Sequence, residues 1–220
     1  MGEKGNSRYM KRLNAPNFFG IHRKERAYIT KPNAGRHSLQ KCIPLSLVAR
    51  KLGVAKTTDE AARAIRAKTF TVNGKIIQEP KYPVGIGDMV ATGGETYRIW
   101  VNEQGKSTLE PSKAEPFFKV VGKFKGPKNK LMLRLHDGTV IAAKSDIAVN
   151  DSVTLKSGKI EKTFKLAPGA RCSVVDGVHV GAQGTIVNLV EGTMHKSRSL
   201  VIESGSSKFE TLVRNIMVTG

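Results

Sequence analysis

The sequence predicts a multi-module α+β fold: two short helices and a hairpin, followed by two small all-β units. Three observations carry this expectation. Apolar spacing of helical period is confined to residues 43–66. Beyond residue 90, short β-branched runs alternate with Gly, Asn-Asp and Gly-Pro turn signals. Finally, 22 glycines and only 6% aromatic residues suit small, turn-rich units better than one large core. The expected boundaries are 1–42 for a basic extension, 43–91 for the helical module, and 92–166 and 167–220 for two β units.

Charge singles out the front of the chain. Lys and Arg number 37 against 18 Asp and Glu, a formal net charge of +19. Residues 1–75 hold 17 of these cations and 4 of the anions, a net of +13. A compact fold with that excess repels itself, so a polyanion is the expected partner. Nucleic acid fits best, because each phosphate neutralised also releases counterions.

In the extension, Arg8, Lys11, Arg12, Arg23, Lys24, Arg26, Lys31, Arg36 and Lys41 alternate with Tyr9, Phe18, Phe19, His22 and Tyr28. Pro16, Pro32 and several glycines break any long helix. Such a segment is expected to lack the apolar surface to fold alone. It should order on a charged partner, with its aromatics stacking on bases.

Residues 43–55 predict the first helix, with Leu45, Val48 and Leu52 on one face and Arg50 and Lys51 off it. Pro44 suits its first turn and Gly53 its stop. Thr57 and Glu60 then form a capping box that opens the second helix. Ala61, Ala62 and Ile65 mark its buried side, and Arg63 and Arg66, three apart, share the other. In Thr69–Ile77 the pair Asn73-Gly74 predicts a two-residue hairpin turn, because both positions favour positive φ. Lys68 and Lys75 flank it, and Met89–Thr92 is a further strand.

The central unit is expected to hold strands at Thr96–Val101, Phe117–Phe124, Leu131–Leu135, Thr139–Ala143 and Ser152–Leu155, with one helical turn at Ser112–Glu115. That spacing suggests a small barrel. The last unit begins with the alternation Ala170, Cys172, Val174. Gly177, Gly181 and Gly184 are expected turn makers, followed by strands at Thr185–Val187, Ser199–Glu203 and Thr211–Val218.

Several function classes are excluded or disfavoured. No apolar run approaches the roughly 18 residues of a membrane helix, and no basic amphipathic helix suits a membrane surface. The basic N-terminus is not followed by an apolar segment, so no signal peptide is expected. Cys42 and Cys172 lie far apart and read as buried small hydrophobes of a reduced, cytosolic compartment. Neither G-x-S-x-G, a phosphate-binding loop nor HExxH is present. His22, His37, His136, His179 and His195 show no metal-ligand spacing. No cofactor, metal or catalytic group is expected, and Asp137, before Gly138, reads as turn chemistry.

Thr57–Ala61, Phe70–Lys75, Pro80, Tyr82, Val84 and Gly87-Asp88 together resemble the alpha-L, or S4-type, RNA-binding domain. That resemblance implies two packed helices and a hairpin presenting a basic face to structured RNA. Family members often carry Arg where this chain has Thr58 and Ala62. The stretch Gly169–Val187 resembles a KOW motif in its glycine spacing, which implies a small SH3-like β-barrel contacting RNA or protein. The order of modules resembles the small-subunit ribosomal protein family S4e along the whole chain. Asn14-Ala15-Pro16, Cys42–Leu45, His136–Gly138 and Asn215–Val218 share in that likeness. Eukaryotic members usually add a basic C-terminal tail, so the archaeal type is expected.

The resemblance implies a cytoplasmic, non-catalytic constituent of the small ribosomal subunit, monomeric outside it. Its partners would be small-subunit rRNA and neighbouring ribosomal proteins. The residues expected to hold rRNA phosphates are Arg8, Lys11, Arg12, Arg23, Lys24, Arg26, Arg36 and Lys41 in the extension. Arg50, Lys51, Arg63 and Arg66 join them from the helices, and Lys68 and Lys75 from the hairpin. Two alternatives stand beside this reading: a free RNA-binding assembly or transcription factor, and an RNA-modifying enzyme.

Overall fold

A computed structural model describes residues 9–112, 115–142, 146–156, 158–205 and 207–219. The chain forms two compact units. The first contains residues up to Trp100 together with Lys106–Ser112; the second contains Val101–Gly105 and everything from residue 113. Few helices and several antiparallel sheets make this an α+β multi-domain fold.

The first unit opens on a two-stranded ribbon, β1 (Met10–Lys11) with β2 (Tyr28–Ile29). The segment between them buries part of its own apolar surface. A 3-10 turn at Asn17–Phe19 drives Phe18 and Phe19 into the interior, with Met10, Ala15 and Pro16 also buried. Burying each phenylalanine is worth about 1.5–3 kcal/mol, so these side chains moor the arm rather than project for stacking.

The expected first helix is divided. Residues Cys42–Pro44 form strand β3, and α1 covers only Leu45–Lys51. Pro44 is extended, at φ −71° and ψ 142°, so it caps the helix instead of entering its first turn. Every residue from Leu45 to Ala49 is buried. Gly53, at φ +75°, stops the helix as expected. The second helix, α2 (Thr58–Arg66), carries the capping box: the Glu60 amide donates to Thr57 Oγ1 and the Thr57 amide to Glu60 Oε2, both at 3.2 Å. The Lys56 amide, followed by the Thr57 amide, holds the Glu60 carboxyl below its ordinary pKa.

Strands β4 (Phe70–Val72) and β5 (Lys75–Ile76) form the expected hairpin; Asn73 has φ +51° and Gly74 φ +77°. Next comes β6 (Pro83–Gly85), which pairs with β3, then β7 (Met89–Thr92), β8 (Glu95–Val101) and β9 (Ser107–Pro111). The sheet runs β5-β4-β7-β8-β9. Thus the sheet of the helical module continues beyond residue 91, through β9, a strand without a sequence expectation.

The second unit contains two five-stranded antiparallel sheets. In the first are β10 (Phe117–Lys125), β11 (Leu131–Leu135), β12 (Val140–Ala142), β13 (Ser152–Lys156) and β14 (Lys159–Phe164), in the order β12-β11-β10-β13-β14. Its core is Phe118, Val120, Leu133, Leu135, Ile147 and Val153. The Ser112–Glu115 turn and the end of the expected Thr139–Ala143 strand fall partly outside the described residues.

The other sheet contains β15 (Arg171–Val174), β16 (Gln183–Val190), β17 (Ser199–Ser204), β18 (Ser207–Leu212) and β19 (Ile216–Val218), in the order β18-β17-β16-β15-β19. A 3-10 turn at Val213–Asn215 divides the single strand expected there. Neither sheet closes into a barrel: among the described residues β12 does not pair with β14, nor β18 with β19.

Lys119 ties the two sheets together. It is 5% exposed, and its ammonium donates to the carbonyls of Val213 at 2.6 Å and Ile216 at 2.9 Å. Ser152 Oγ adds a bond from the Val218 amide at 3.0 Å. Gly177 and Gly181 have φ +94° and +85°, as turn makers should. Gly184 does something else. It lies within β16, where a Cβ would stand 2.3 Å from the Glu203 carbonyl oxygen. Cys42 and Cys172 are free and buried, and burial pushes both thiols to about 11, with Asp88's charge a lesser contributor for Cys42.

Candidate nucleic-acid interface

A buried polar centre fixes the hairpin of the first unit. Asp88 is 1% exposed. Its carboxylate accepts from His37 Nε2 at 2.8 Å, the Gly85 amide at 2.9 Å and Asn73 Nδ2 at 2.7 Å. Asn73 Oδ1 in turn accepts from the Met89 amide at 2.9 Å. Burial alone would raise the Asp88 carboxyl, but His37, Gly85 and Asn73 hold it below its ordinary value. A Cβ on Gly85 would sit 2.4 Å from His37 Nδ1, so glycine makes room for the imidazole. The Asn-Gly and Gly-Asp signals are therefore two halves of one device: Asp88 locks the hairpin through Asn73. His37, which sequence reasoning left without a role, is the third part.

This frame presents cations outward. On α2, Ala61 and Ile65 are buried, while Arg63 and Arg66 are exposed on the other side. Lys68, at φ 65°, leaves the helix exposed, and Lys75 is exposed on β5. Lys11, Arg23, Lys24 and Arg26 gather around one open concavity of the arm, beside Tyr28. Tyr9 and Tyr28 are 63% and 57% exposed and meet edge to face at 5.7 Å. Of the aromatics expected to reach bases, these two and His22 face solvent, whereas Phe18 and Phe19 do not. Lys41 is exposed and Arg36 half-buried, and neither lines the concavity. Arg8 lies outside the described residues.

Two expected contacts are turned inward. The Arg12 side chain is 7% exposed; its guanidinium donates to the His22 carbonyl at 2.7 and 3.0 Å and to Glu25 at 2.9 Å. It staples the arm rather than threading a groove. Lys51 donates to Ser107 Oγ at 2.8 Å and Ser107 O at 3.2 Å, and burial lowers its pKa to about 8. It is occupied by β9. Only the tertiary pairing of α1 with that strand reveals this, since a lysine at a helix end ordinarily faces water.

Arg50 is half-buried and lines a second cleft, of about 320 Å³, with Arg12, Arg26, Tyr28, Ser46 and Thr58. Ser46 carried no signal in the sequence beyond being the one polar residue in an apolar helical stretch. Among the described residues no His, Cys, Asp and Glu cluster could hold a metal ion.

Comparison with known proteins identifies three consecutive matches. The RS4NT (NUC023) domain matches residues 4–40, the S4 domain 44–90 and the ribosomal family S4e 93–160. The small ribosomal subunit protein eS4 of Methanocella arvoryzae is 31% identical over 219 residues, covering 96% of this chain and 94% of that protein. The eS4 of Spodoptera frugiperda is 30% identical, covering 99% and 86%. The crystal structure of the 30S ribosomal protein S4e from Thermoplasma acidophilum superposes with a TM-score of 0.68 at 27% identity, covering 82% of this chain and 94% of that one.

Proposed function

The chain belongs to the family of small ribosomal subunit protein eS4 and is a structural constituent of the small ribosomal subunit; we propose that it works there by clamping rRNA phosphates with the cations of its first unit. The family is one of ribosomal constituents, not of enzymes, and the S4 domain places the chain in an RNA context. The mechanism is stabilisation without turnover. Arg63 and Arg66 on α2, Lys68 and Lys75 at the hairpin, and Lys11, Arg23, Lys24 and Arg26 on the arm neutralise backbone charge. Arg36 and Lys41 on the arm, and Arg8 before the described residues, are further candidates for phosphate contact. Contacts of this kind position the protein more than they read sequence, and A-form RNA is recognised largely by shape.

One observation carries this reading. Arg23, Lys24, Arg26, Arg66, Lys68 and Lys75 are exposed with no carboxylate at ion-pair distance among the described residues. Charges left unmatched by the fold are available to a polyanion. Arg12 and Lys51 support the surface from within and are removed from the contact set. The C-terminal sheet, with its glycine turns and close β16–β17 approach, suits a KOW unit of SH3-like type that faces neighbouring ribosomal proteins. The protein is monomeric and cytoplasmic before assembly.

Titration against small-subunit rRNA over a salt series tests the clamp. With about six phosphates engaged, log K against log salt should have a slope near −5. A flat dependence, or loss of the protein from salt-washed small subunits, would overturn the reading.

A further inference from the structure

The cleft beside α1 combines features that ordinary packing does not account for. Ser46 is 1% exposed, and its hydroxyl has no hydrogen-bond partner among the described residues. Arg50 follows four residues later, on the same helical face. Its Nε is buried and equally unpartnered. Buried polar atoms are nearly always paired, because leaving one unmatched forfeits its hydration. Only four side-chain atoms among the described residues are in this condition, and two of them belong to residues that line one cavity.

The cavity has the right chemistry for an anion. Arg26 and Arg50 supply its unpaired positive charge, beside Arg12, whose guanidinium is held by Glu25; Thr58 adds a hydroxyl, and no Asp or Glu is among its lining residues. Side chains alone make the site, since the Leu45 and Ser46 amides already donate to the carbonyls of Tyr82 and Pro80. Its volume of about 320 Å³ greatly exceeds the roughly 30 Å³ share of one water, so a phosphate group with part of its sugar can enter. Tyr28 lines both this cleft and the neighbouring concavity, where Lys11, Arg23 and Lys24 outnumber the single carboxylate, Glu25, which is itself paired with Arg12. An anion in the cleft therefore has a path of net positive charge leading away from it, past an exposed ring. That continuity suits a chain of phosphates better than a free ion.

We propose that this cleft seats a single phosphodiester group of the bound RNA, with Ser46 Oγ and Arg50 Nε donating to its non-bridging oxygens and Arg26 closing over it from the arm. The inference rests on the RNA-clamping reading and adds a discrete anchor to it.

The test uses the full chain and transcribed small-subunit rRNA over a potassium chloride series, with Ser46→Ala and Arg50→Gln. Arg50→Gln should weaken binding about tenfold and make the salt slope shallower by about 1. Ser46→Ala should weaken it roughly threefold with the slope unchanged, because it removes an uncharged donor. Both variants should melt no lower than the wild type, since each deletes a group the fold leaves unmatched. Should Arg50→Gln fail to fold, Arg50→Lys decides: it keeps the charge but lacks Nε, and should lose affinity at an unchanged slope.

Wild-type affinity and slope in the folded variants would overturn the anchor while leaving the clamp intact. Absence of any rRNA binding by the wild type would overturn both. Inorganic phosphate alone, titrated in a thermal-shift assay, separates the two sources of such a group. If it stabilises the wild type but not Arg50→Gln, while RNA affinity is the same for both, the cleft takes small phosphates and the RNA assignment fails.

Discussion

The two units pair their charge to different extents. In the second, three exposed lysines lie near the protein's own carboxylates: Lys156 lies 3.3 Å from Glu115 and 3.7 Å from Glu161, Lys196 is 3.0 Å from Glu210, and Lys208 is 3.2 Å from Glu203. Others in this unit, such as Lys159, Lys162 and Arg171, are exposed with no carboxylate at ion-pair distance among the described residues. Its most buried lysine, Lys119, donates to two backbone carbonyls and joins two sheets. In the first unit, internal polar groups are matched around Asp88, while Arg23, Lys24, Arg26, Arg66, Lys68 and Lys75 are exposed with no carboxylate at ion-pair distance among the described residues. Exposed pairs such as those of the second unit add little to stability, but they cancel the field that would draw a polyanion. What separates the front of the chain is its surplus: residues 1–75 carry a net of +13 of the +19 total, and there unpaired cations are concentrated rather than diluted by acidic neighbours.

The largest effect should come from breaking the matched centre of the first unit. Replacing Asp88 with Ala strips an acceptor from His37, Gly85 and Asn73 and should cost about 3–5 kcal/mol, read as a loss in urea unfolding. A loss below about 1 kcal/mol would mean that the hairpin is not locked this way. The same carboxylate sets an acid limit. Its folded pKa is depressed, so its contribution is complete above the ordinary carboxylate value of about 3.9 and is lost as pH falls through the lower, folded value. The wild type should therefore lose stability in acid over that window, and Asp88→Asn should flatten the profile there.

Next in size is the contrast between units. Reversing charge at Arg63 and Arg66 together should weaken rRNA binding on the order of 100-fold at low salt, as two phosphate contacts become repulsions. The thermal midpoint should hardly move, because both side chains are exposed. Reversing Lys196 and Lys208 should change affinity several-fold at most. Equal losses from the two double variants would erase the distinction between the units.

Smaller effects sharpen the local picture. Gly184→Ala should cost about 1–3 kcal/mol, because its Cβ would meet the Glu203 carbonyl, and the loss should appear in thermal unfolding of the second unit. Thr57→Ala removes the cap of α2 and should cost about 1 kcal/mol. If the capped helix carries the contact face, the same change should also lower rRNA affinity modestly.

Local signals were legible without coordinates. Thr57 with Glu60 fixed the start of α2, Asn73-Gly74 fixed the hairpin, and Gly53 fixed the end of α1. Each depends on neighbours within about four residues, so chain chemistry alone determines it. The exposed side of α2, with Arg63 and Arg66, was legible for the same reason. What only the tertiary structure decided involves distant partners. Cys42–Pro44 became a strand because Val84 lies opposite it. Phe18 and Phe19 became core, Arg12 and Lys51 turned inward to His22 and Ser107, and Ser46 with Arg50 came to line a cleft with Arg26. A sequence lists which side chains can bear charge or hydrogen bonds, but whether each meets a partner within the chain depends on contacts across many residues, and the unmatched ones define the surface left for RNA.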